Sequence, residues 1–313
     1  MNIGVIGGSG FIGSHLVDKL LAHGHEVTVF DIKKPHQDDV THIHIDITNL
    51  SKTTVALAGN YNVVYLLAAM ADVNDVHKNP IEAGRINIMA VGNVLEAAKR
   101  NEIQRVILAS TVWVYEMAPE KEVSEKTPLS PERANHVYTA SKLGAELYCH
   151  AYQKLYAQDF TVLRYGIPYG PRARASTVIA TFIRKALNHE PLIILGDGSQ
   201  YRNFVYVEDL ALGNVAALET VASNQTYNLD GNRPVTIKEV AETVKRLVGN
   251  VKIEYRNARV GDYQGKFVSA EKARRELNWE PKVNLEEGIA RYIEWYKENE
   301  TRPQSADSCT SQG

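Results

Sequence analysis

Asn2-Ile-Gly-Val-Ile-Gly-Gly-Ser-Gly-Phe-Ile-Gly13 opens the chain. A short apolar run, Ile3–Ile6, enters glycines at Gly7, Gly10 and Gly13, and a helix-period segment continues from Phe11 to about His23. Glycine permits the tight turn and lets the backbone approach an anion closely, while the N-terminus of the following helix offers free N–H groups. A lone Gly-x-x-Gly-x-x-Gly is a weak signal, and its plainer reading is a glycine-rich turn. Its position between a strand and a helix is the context that points to a dinucleotide pyrophosphate. Gly7, Gly10, Phe11, Ile12 and Gly13 are the candidate residues at this end.

Asp31 ends the second apolar run, about twenty residues beyond the glycines. A carboxylate there can accept bonds from ribose hydroxyls and repels a 2′-phosphate, which favours NAD over NADP. Lys33 and Lys34 follow and could instead bind such a phosphate, or be solvated loop charges. Asp46, with Ile47 beside it, ends the third run and could meet the adenine; a turn carboxylate is the alternative.

Farther along stands Tyr138-Thr-Ala-Ser-Lys142. Tyrosine and lysine four apart share one helix face. A lysine ammonium beside a phenol favours the phenolate, a usable base. With 16 tyrosines in the chain, about one Tyr-x-x-x-Lys arises by chance, so the weight lies in context. The fifth apolar run ends in Ala109-Ser-Thr-Val-Trp-Val-Tyr115, which brings hydroxyls to the C-terminal edge of a parallel sheet, where ligands of such folds bind. Thr111 is thereby a candidate catalytic residue with Tyr138 and Lys142; Ser110 reads more simply as a strand-end cap.

The organisation agrees. Expected strands at Ile3–Ile6, Glu26–Phe30, His42–Ile45, Val63–Leu66, Val106–Ala109 and Phe160–Arg164 alternate with helices beginning near Phe11, Ser51, Pro80, Val137 and Ser176. This is an α/β, doubly wound parallel sheet expected to span residues 1–165. Breakers in Gly166-Ile-Pro-Tyr-Gly-Pro171 mark a change. Residues 166–203 and 230–299 are expected to form a smaller α/β lobe, with 204–229 returning to the first domain and 300–313 a disordered tail. A net charge of −2 gives no electrostatic case for nucleic acid or membrane. No apolar run reaches spanning length and no signal segment is evident, so a soluble, cytoplasmic protein is expected. Neither Cys149 and Cys309 nor any other grouping suggests a disulfide framework or a metal site.

The chain resembles the extended short-chain dehydrogenases/reductases of the sugar-nucleotide epimerase/dehydratase type, the group that includes UDP-glucose 4-epimerase. The resemblance rests on the glycine motif, Asp31, Leu67-Ala-Ala69, Asn87, Thr111 four before Tyr115, and Tyr138-x-x-x-Lys142. It continues through Arg164-Tyr-Gly-Ile-Pro-Tyr-Gly-Pro-Arg172, Gly196-Asp-Gly-Ser-Gln-Tyr-Arg-Asn-Phe204, Arg259-Val-Gly-Asp262 and Leu277-Asn-Trp-Glu-Pro281. It implies an NAD-binding Rossmann lobe, with Leu67, Ala68, Ala69 and Asn87 beside the cofactor, and a small lobe clamping a nucleoside-diphosphate sugar. By position Arg202 binds a phosphate, and Arg259 with Asp262 holds phosphate and ribose. Asp72, in a polar loop, could touch the sugar, though a solvated loop is the plainer reading. The family also implies a homodimer built on helices Pro80–Arg100 and Val137–Tyr156, with stripes Ile81, Ile88, Val91, Leu95 and Leu143, Leu147, Ala151, Leu155.

Departures sharpen the expectation. Val112 and Trp113 occupy positions where dehydratases carry Asp-Glu and decarboxylating members a glutamate, so neither chemistry is favoured. Gly166-Ile167-Pro168 stands where the family has Phe-Asn-Val, whose asparagine contacts the sugar nucleotide. Asn203 replaces the aspartate after the phosphate-binding arginine. The first expectation is an NAD-dependent epimerase of a nucleoside-diphosphate sugar, acting at C4 through a 4-keto intermediate on a UDP-glucose/UDP-galactose or UDP-uronate substrate. A sugar or polyol dehydrogenase and a non-catalytic nucleotide sensor on the same fold are the alternatives.

Overall fold

The computed structural model describes residues 1–257 and 265–300. The chain runs β1 (Asn2–Ile6), α1 (Phe11–Ala22), β2 (Glu26–Asp31), β3 (Thr41–His44), α2 (Leu50–Ala56), β4 (Val63–Leu66), α3 (Val73–Lys78), α4 (Pro80–Gly84), a π-helical turn (Arg85–Met89), α5 (Ala90–Arg100), β5 (Arg105–Thr111), β6 (Glu122–Val123) and α6 (Val137–Tyr156). It continues with β7 (Asp159–Tyr165), β8 (Ile167–Tyr169), α7 (Val178–Leu187), β9 (Leu192–Leu195), β10 (Tyr201–Arg202), β11 (Phe204–Tyr206), α8 (Val207–Ala216), β12 (Gln225–Leu229), β13 (Val235–Thr236), α9 (Ile237–Val248), β14 (Ile253–Arg256), β15 (Phe267–Val268), α10 (Glu271–Leu277) and α11 (Leu285–Glu300).

Seven strands pair in the order β12-β7-β5-β4-β1-β2-β3, every pair parallel. The runs Val63–Leu66 and Arg105–Thr111 are buried throughout, as strands covered on both faces require. One face buries Leu16, Val17 and Leu20 of α1 with Leu210 of α8; the other buries Val91, Val94 and Leu95 of α5 with Ala145 and Cys149 of α6. A third core holds α7, α9 and α11 around Ile183, Val240 and Ile289. Of the segment 204–229, β12 joins the large sheet beside β7, whereas β11 pairs with β8 outside it. β5 runs on through Thr111, past Ala109 where sequence placed its end, because Ser110 and Thr111 stay in register with Arg164 and Tyr165. The two-residue strands escaped the sequence reading because pairs of residues show no periodicity.

The turn from β1 into α1 admits no side chain at two points. Gly7 has φ +85°, and a Cβ there would meet the Ala68 backbone nitrogen at 2.5 Å. A Cβ on Gly13 would lie 2.1 Å from the Gly7 carbonyl oxygen. Gly13→Ala is therefore expected to lower stability by at least the ~1–3 kcal/mol of an overpacked core site, read as a reduced urea midpoint.

Candidate active site

The C-terminal edge of the sheet gathers the candidate residues. α1 starts at Gly10 with no side-chain cap, so its first N–H groups, including those of Phe11 and Ile12, face outward from the glycine turn. Asp31 accepts from Ser9 N–H (3.0 Å) through one oxygen and from Lys33 N–H (3.0 Å) through the other. It thereby ties the glycine turn to the end of β2. Lys33 and Lys34 are exposed. The cradle at Gly7, Gly10 and Gly13, the open helix N-terminus and the carboxylate at the end of β2 fit a dinucleotide such as NAD.

Leu67, Ala68 and Ala69 cross directly over the turn, with Leu67 and Ala68 N–H both donating to the Ile6 carbonyl (2.8 and 3.2 Å). Asn87 braces this crossing. Buried on the π-helical turn, it accepts from Met70 N–H (2.8 Å) and donates to the Met70 carbonyl (3.0 Å) and Ser141 Oγ (3.0 Å). Its amide hydrogens are thus committed to protein partners. Asp46 is exposed and accepts from the N–H and hydroxyl of Thr48, bonds that hold its carboxyl below the usual range; neighbouring Ile47 is buried. Asp72 caps α3 through Asn74 and Asp75 N–H and reaches Arg174 at 3.3 Å.

Thr111 and Tyr138 share a hydrogen bond between their hydroxyls. Burial pushes the Tyr138 phenol up to about 12, with Thr111 and the charge of Arg174 opposing. Lys142 is buried one turn on and donates to the Ala109 carbonyl (2.9 Å). Burial pushes it down to about 8, with Glu146 opposing. Lys142 is not among the groups that move the phenol. Desolvation disfavours both charged forms, and the groups that favour the phenolate are Thr111 and Arg174. Arg174 lies in a loop without periodicity, and sequence gave no reason to single it out.

Beneath these residues runs a buried polar network. Ser110 Oγ donates to Glu146 Oε1 (2.5 Å), and Arg164 spans both Glu146 oxygens (3.1 and 2.7 Å). Arg164 also donates to the Tyr115 hydroxyl (2.9 Å), which donates to Asn228 Oδ1 (2.8 Å). Burial opposes the guanidinium charge, but Glu146 and Tyr115 outweigh it and raise the Arg164 pKa. Ser110 thus belongs to this support. Glu116 is a second carboxylate that sequence overlooked. Its side chain is 7% exposed, one oxygen is buried without a hydrogen-bond partner, and His136 Nε2 lies 3.9 Å away. Burial raises its pKa.

Beside Thr111 opens a cleft lined by Val112, Trp113, Ile167, Arg202, Asn203, Asp230 and Lys266. The Trp113 ring stands edge-on to Tyr138, centroids 6.3 Å apart. Arg202 therefore borders the cleft; Arg259 and Asp262 lie outside the described residues.

Comparison with known proteins places this arrangement. Residues 3–230 match the model of the NAD dependent epimerase/dehydratase family. The chain belongs to that family. It is 34% identical to a UDP-glucuronate 4-epimerase of Thermodesulfobacterium geofontis over 94% of this chain and 96% of that one. It is equally 34% identical to UDP-glucuronic acid decarboxylase 1 of Xenopus tropicalis, over 94% of this chain and 71% of the relative. A UDP-glucose 4-epimerase of Thermotoga maritima, solved with UDP-glucose, superposes with a TM-score of 0.89 at 29% identity, covering 96% of this chain and 99% of that one. Membership makes NAD the cofactor.

Replacing Arg164 by methionine strands Glu146 as a buried charge. The expected loss is ~3–5 kcal/mol of unfolding free energy, measured by urea titration.

Proposed function

We propose that the protein is an NAD-dependent 4-epimerase of a nucleoside-diphosphate sugar. The observation that carries the reading is the Thr111–Tyr138 hydroxyl pair at the sheet edge, with Lys142 one turn away and no carboxylate at positions 112 or 113. Gly7, Gly10, Phe11, Ile12 and Gly13 hold the pyrophosphate, Asp31 the adenosine ribose, and Leu67–Ala69, braced by Asn87, the inner face of the cofactor. NAD held there would supply reversible hydride transfer at the sugar carbon. Thr111 holds the reacting oxygen. Tyr138 takes the C4 hydroxyl proton and gives it back after the 4-keto sugar has turned over. Lys142 fixes the nicotinamide ribose. Arg202 contacts the diphosphate. With valine and tryptophan following Thr111, no acid or base stands there to expel water or carbon dioxide from the keto sugar.

The expected product has unchanged mass, is inverted at one carbon, and forms without a steady rise in NADH absorbance. Mass spectrometry and proton NMR alongside that absorbance decide. Tyr138→Phe should reduce turnover by about 10²–10⁴-fold while NAD still binds. A variant keeping more than about a tenth of the activity would remove Tyr138 as the base. Ile167, lining the cleft in place of a polar contact, favours a second reading, a net sugar dehydrogenase. A product lighter by two hydrogens with matching NADH would establish it.

A second copy of the chain is proposed to cover the face shared by α4 and α6. Ile81 is 86% exposed, Leu155 71% and Leu147 60%, with Tyr148, Tyr156 and Met89 also exposed. The structure corrects the expected stripe, since Val91 and Leu95 are buried against the sheet. Apolar exposure of this kind marks an association surface. Leu147→Glu with Leu155→Glu should convert a dimer to a monomer in light scattering at micromolar concentration. A monomeric wild-type chain would exclude the idea.

A further inference from the structure

Three residues from distant parts of the chain, two of which line the cleft, meet because of strand register. Gly166 follows the end of β7, Asp230 follows the end of β12, and the two strands run side by side with Tyr165 opposite Leu229. Asn203 precedes β11, which pairs with β8 so that Phe204 lies opposite Ile167. Gly166 N–H donates to the Leu229 carbonyl (2.8 Å), and Ile167 N–H to the Asn203 carbonyl (3.2 Å). The junction is tight. A Cβ at Gly166 would sit 1.9 Å from Asp230 Oδ1, and one at Gly231 would sit 2.2 Å from the Phe204 carbonyl oxygen. Only glycine at 166 leaves room for the aspartate.

Asp230 is 1% exposed, and both its oxygens accept: one from Gly231 N–H (2.8 Å), the other from Asn203 Nδ2 (2.9 Å). Burial pushes its carboxyl up to about 7, with Asn203 and Gly231 opposing. This fixes the amide. With Nδ2 turned to Asp230, Asn203 Oδ1 is buried and has no hydrogen-bond partner. A buried acceptor without a donor is unfavourable until a hydrogen is brought to it. Both residues line the cleft beside Val112, Trp113 and Ile167. The Lys266 ammonium, which also lines the cleft, already donates to the Ala118 and Glu120 carbonyls (2.7 and 2.6 Å).

We infer that Asn203, oriented by Asp230, is a specificity-determining residue that accepts a hydrogen bond from a sugar hydroxyl and discriminates against a sugar carboxylate in the same place. This rests on the nucleotide-sugar reading above. Ile167 removes a polar contact from one wall, and the Asn203–Asp230 pair supplies one from the floor. A hydroxyl has the hydrogen that Oδ1 lacks. A carboxylate presents only acceptors and would face both Oδ1 and the Asp230 carboxyl. A nucleoside-diphosphate hexose is thus preferred over the corresponding hexuronate. Asp230 acts as a positioning residue. With asparagine at 230, the neighbouring amide can accept as well as donate, so Asn203 is free to turn Nδ2 into the cleft and receive a carboxylate.

Calorimetry on the Tyr138→Phe protein, which keeps the binding groups but not the base, measures affinity for UDP-glucose, UDP-glucuronate and UDP. Affinity for UDP-glucose should exceed that for UDP-glucuronate by about tenfold or more, the equivalent of ~1.4 kcal/mol. Adding Asp230→Asn should shrink that ratio by about tenfold with UDP affinity unchanged within about twofold. Adding Asn203→Leu should weaken UDP-glucose by about tenfold, again leaving UDP unchanged. A thermal melt establishes that each variant is folded. Stronger binding of the uronate by the parent protein, or an unaltered ratio in a folded Asp230→Asn variant, would overturn the inference; the parent ratio decides if neither variant folds. Turnover by the wild-type enzyme is scored separately. Absence of epimerisation with either sugar counts against the enzymatic reading, while the binding ratio still judges the floor.

Discussion

The site depends on one buried ion pair. Glu146 and Arg164 are almost fully enclosed and joined through two hydrogen bonds. Taking two charges out of water is costly, and the pair holds only because each remaining polar atom also finds a partner. Those partners lie on four elements: Ser110 on β5, Glu146 on α6, Arg164 on β7 and Asn228 on β12, with Tyr115 bridging the last two. The network therefore fixes α6 in rotation and height against the sheet. Tyr138 and Lys142 stand two turns and one turn before Glu146 on the same helix, so whatever fixes Glu146 aims them as well. The carboxylate also favours the ammonium of Lys142 against the burial that disfavours it.

Much of this was legible in the sequence for identifiable physical reasons. The glycine turn, the alternation of strands and helices and the Tyr138–Lys142 spacing are local patterns, and local patterns survive in one dimension. Six of the seven parallel strands were expected from their own runs in the sequence; β12, whose Gln225–Leu229 is partly polar, was anticipated as part of a segment returning to the domain. The rest depends on long-range placement. Asp46 and Asp72 looked like ligand carboxylates, yet each is engaged by backbone N–H groups within three residues of itself. Glu116 gave no sign of burial, since a single carboxylate in a turn has no period. Arg174 becomes relevant to Tyr138 only once a loop is folded across the sheet edge. Val91 and Leu95 were read as an outer stripe, but the π-helical turn between α4 and α5 inserts a residue, so that Ile81 and Leu95 no longer lie on one face.

Desolvation sets the electrostatics of the chemical groups. It moves Tyr138 up and Lys142 down, in both cases toward the neutral form. A site of this kind responds strongly to any charge brought close to it, because the low local dielectric leaves little screening. Arg174, itself paired with Asp72, is the described cation that acts on the phenol, and this links an exposed loop to the candidate base.

The close fit between Gly166 and Asp230 also constrains descent. No side chain at 166 can coexist with the aspartate in this packing, so the two positions can change in one order only. A lineage with a bulky residue after β7 must first lose it, and the glycine intermediate must persist before an acid can be recruited after β12. Once the acid and its asparagine partner are in place, the path back is closed until both have been relinquished. The two sites, 64 residues apart in sequence, are thus expected to vary as a unit among related chains, with glycine at the first wherever the second is acidic.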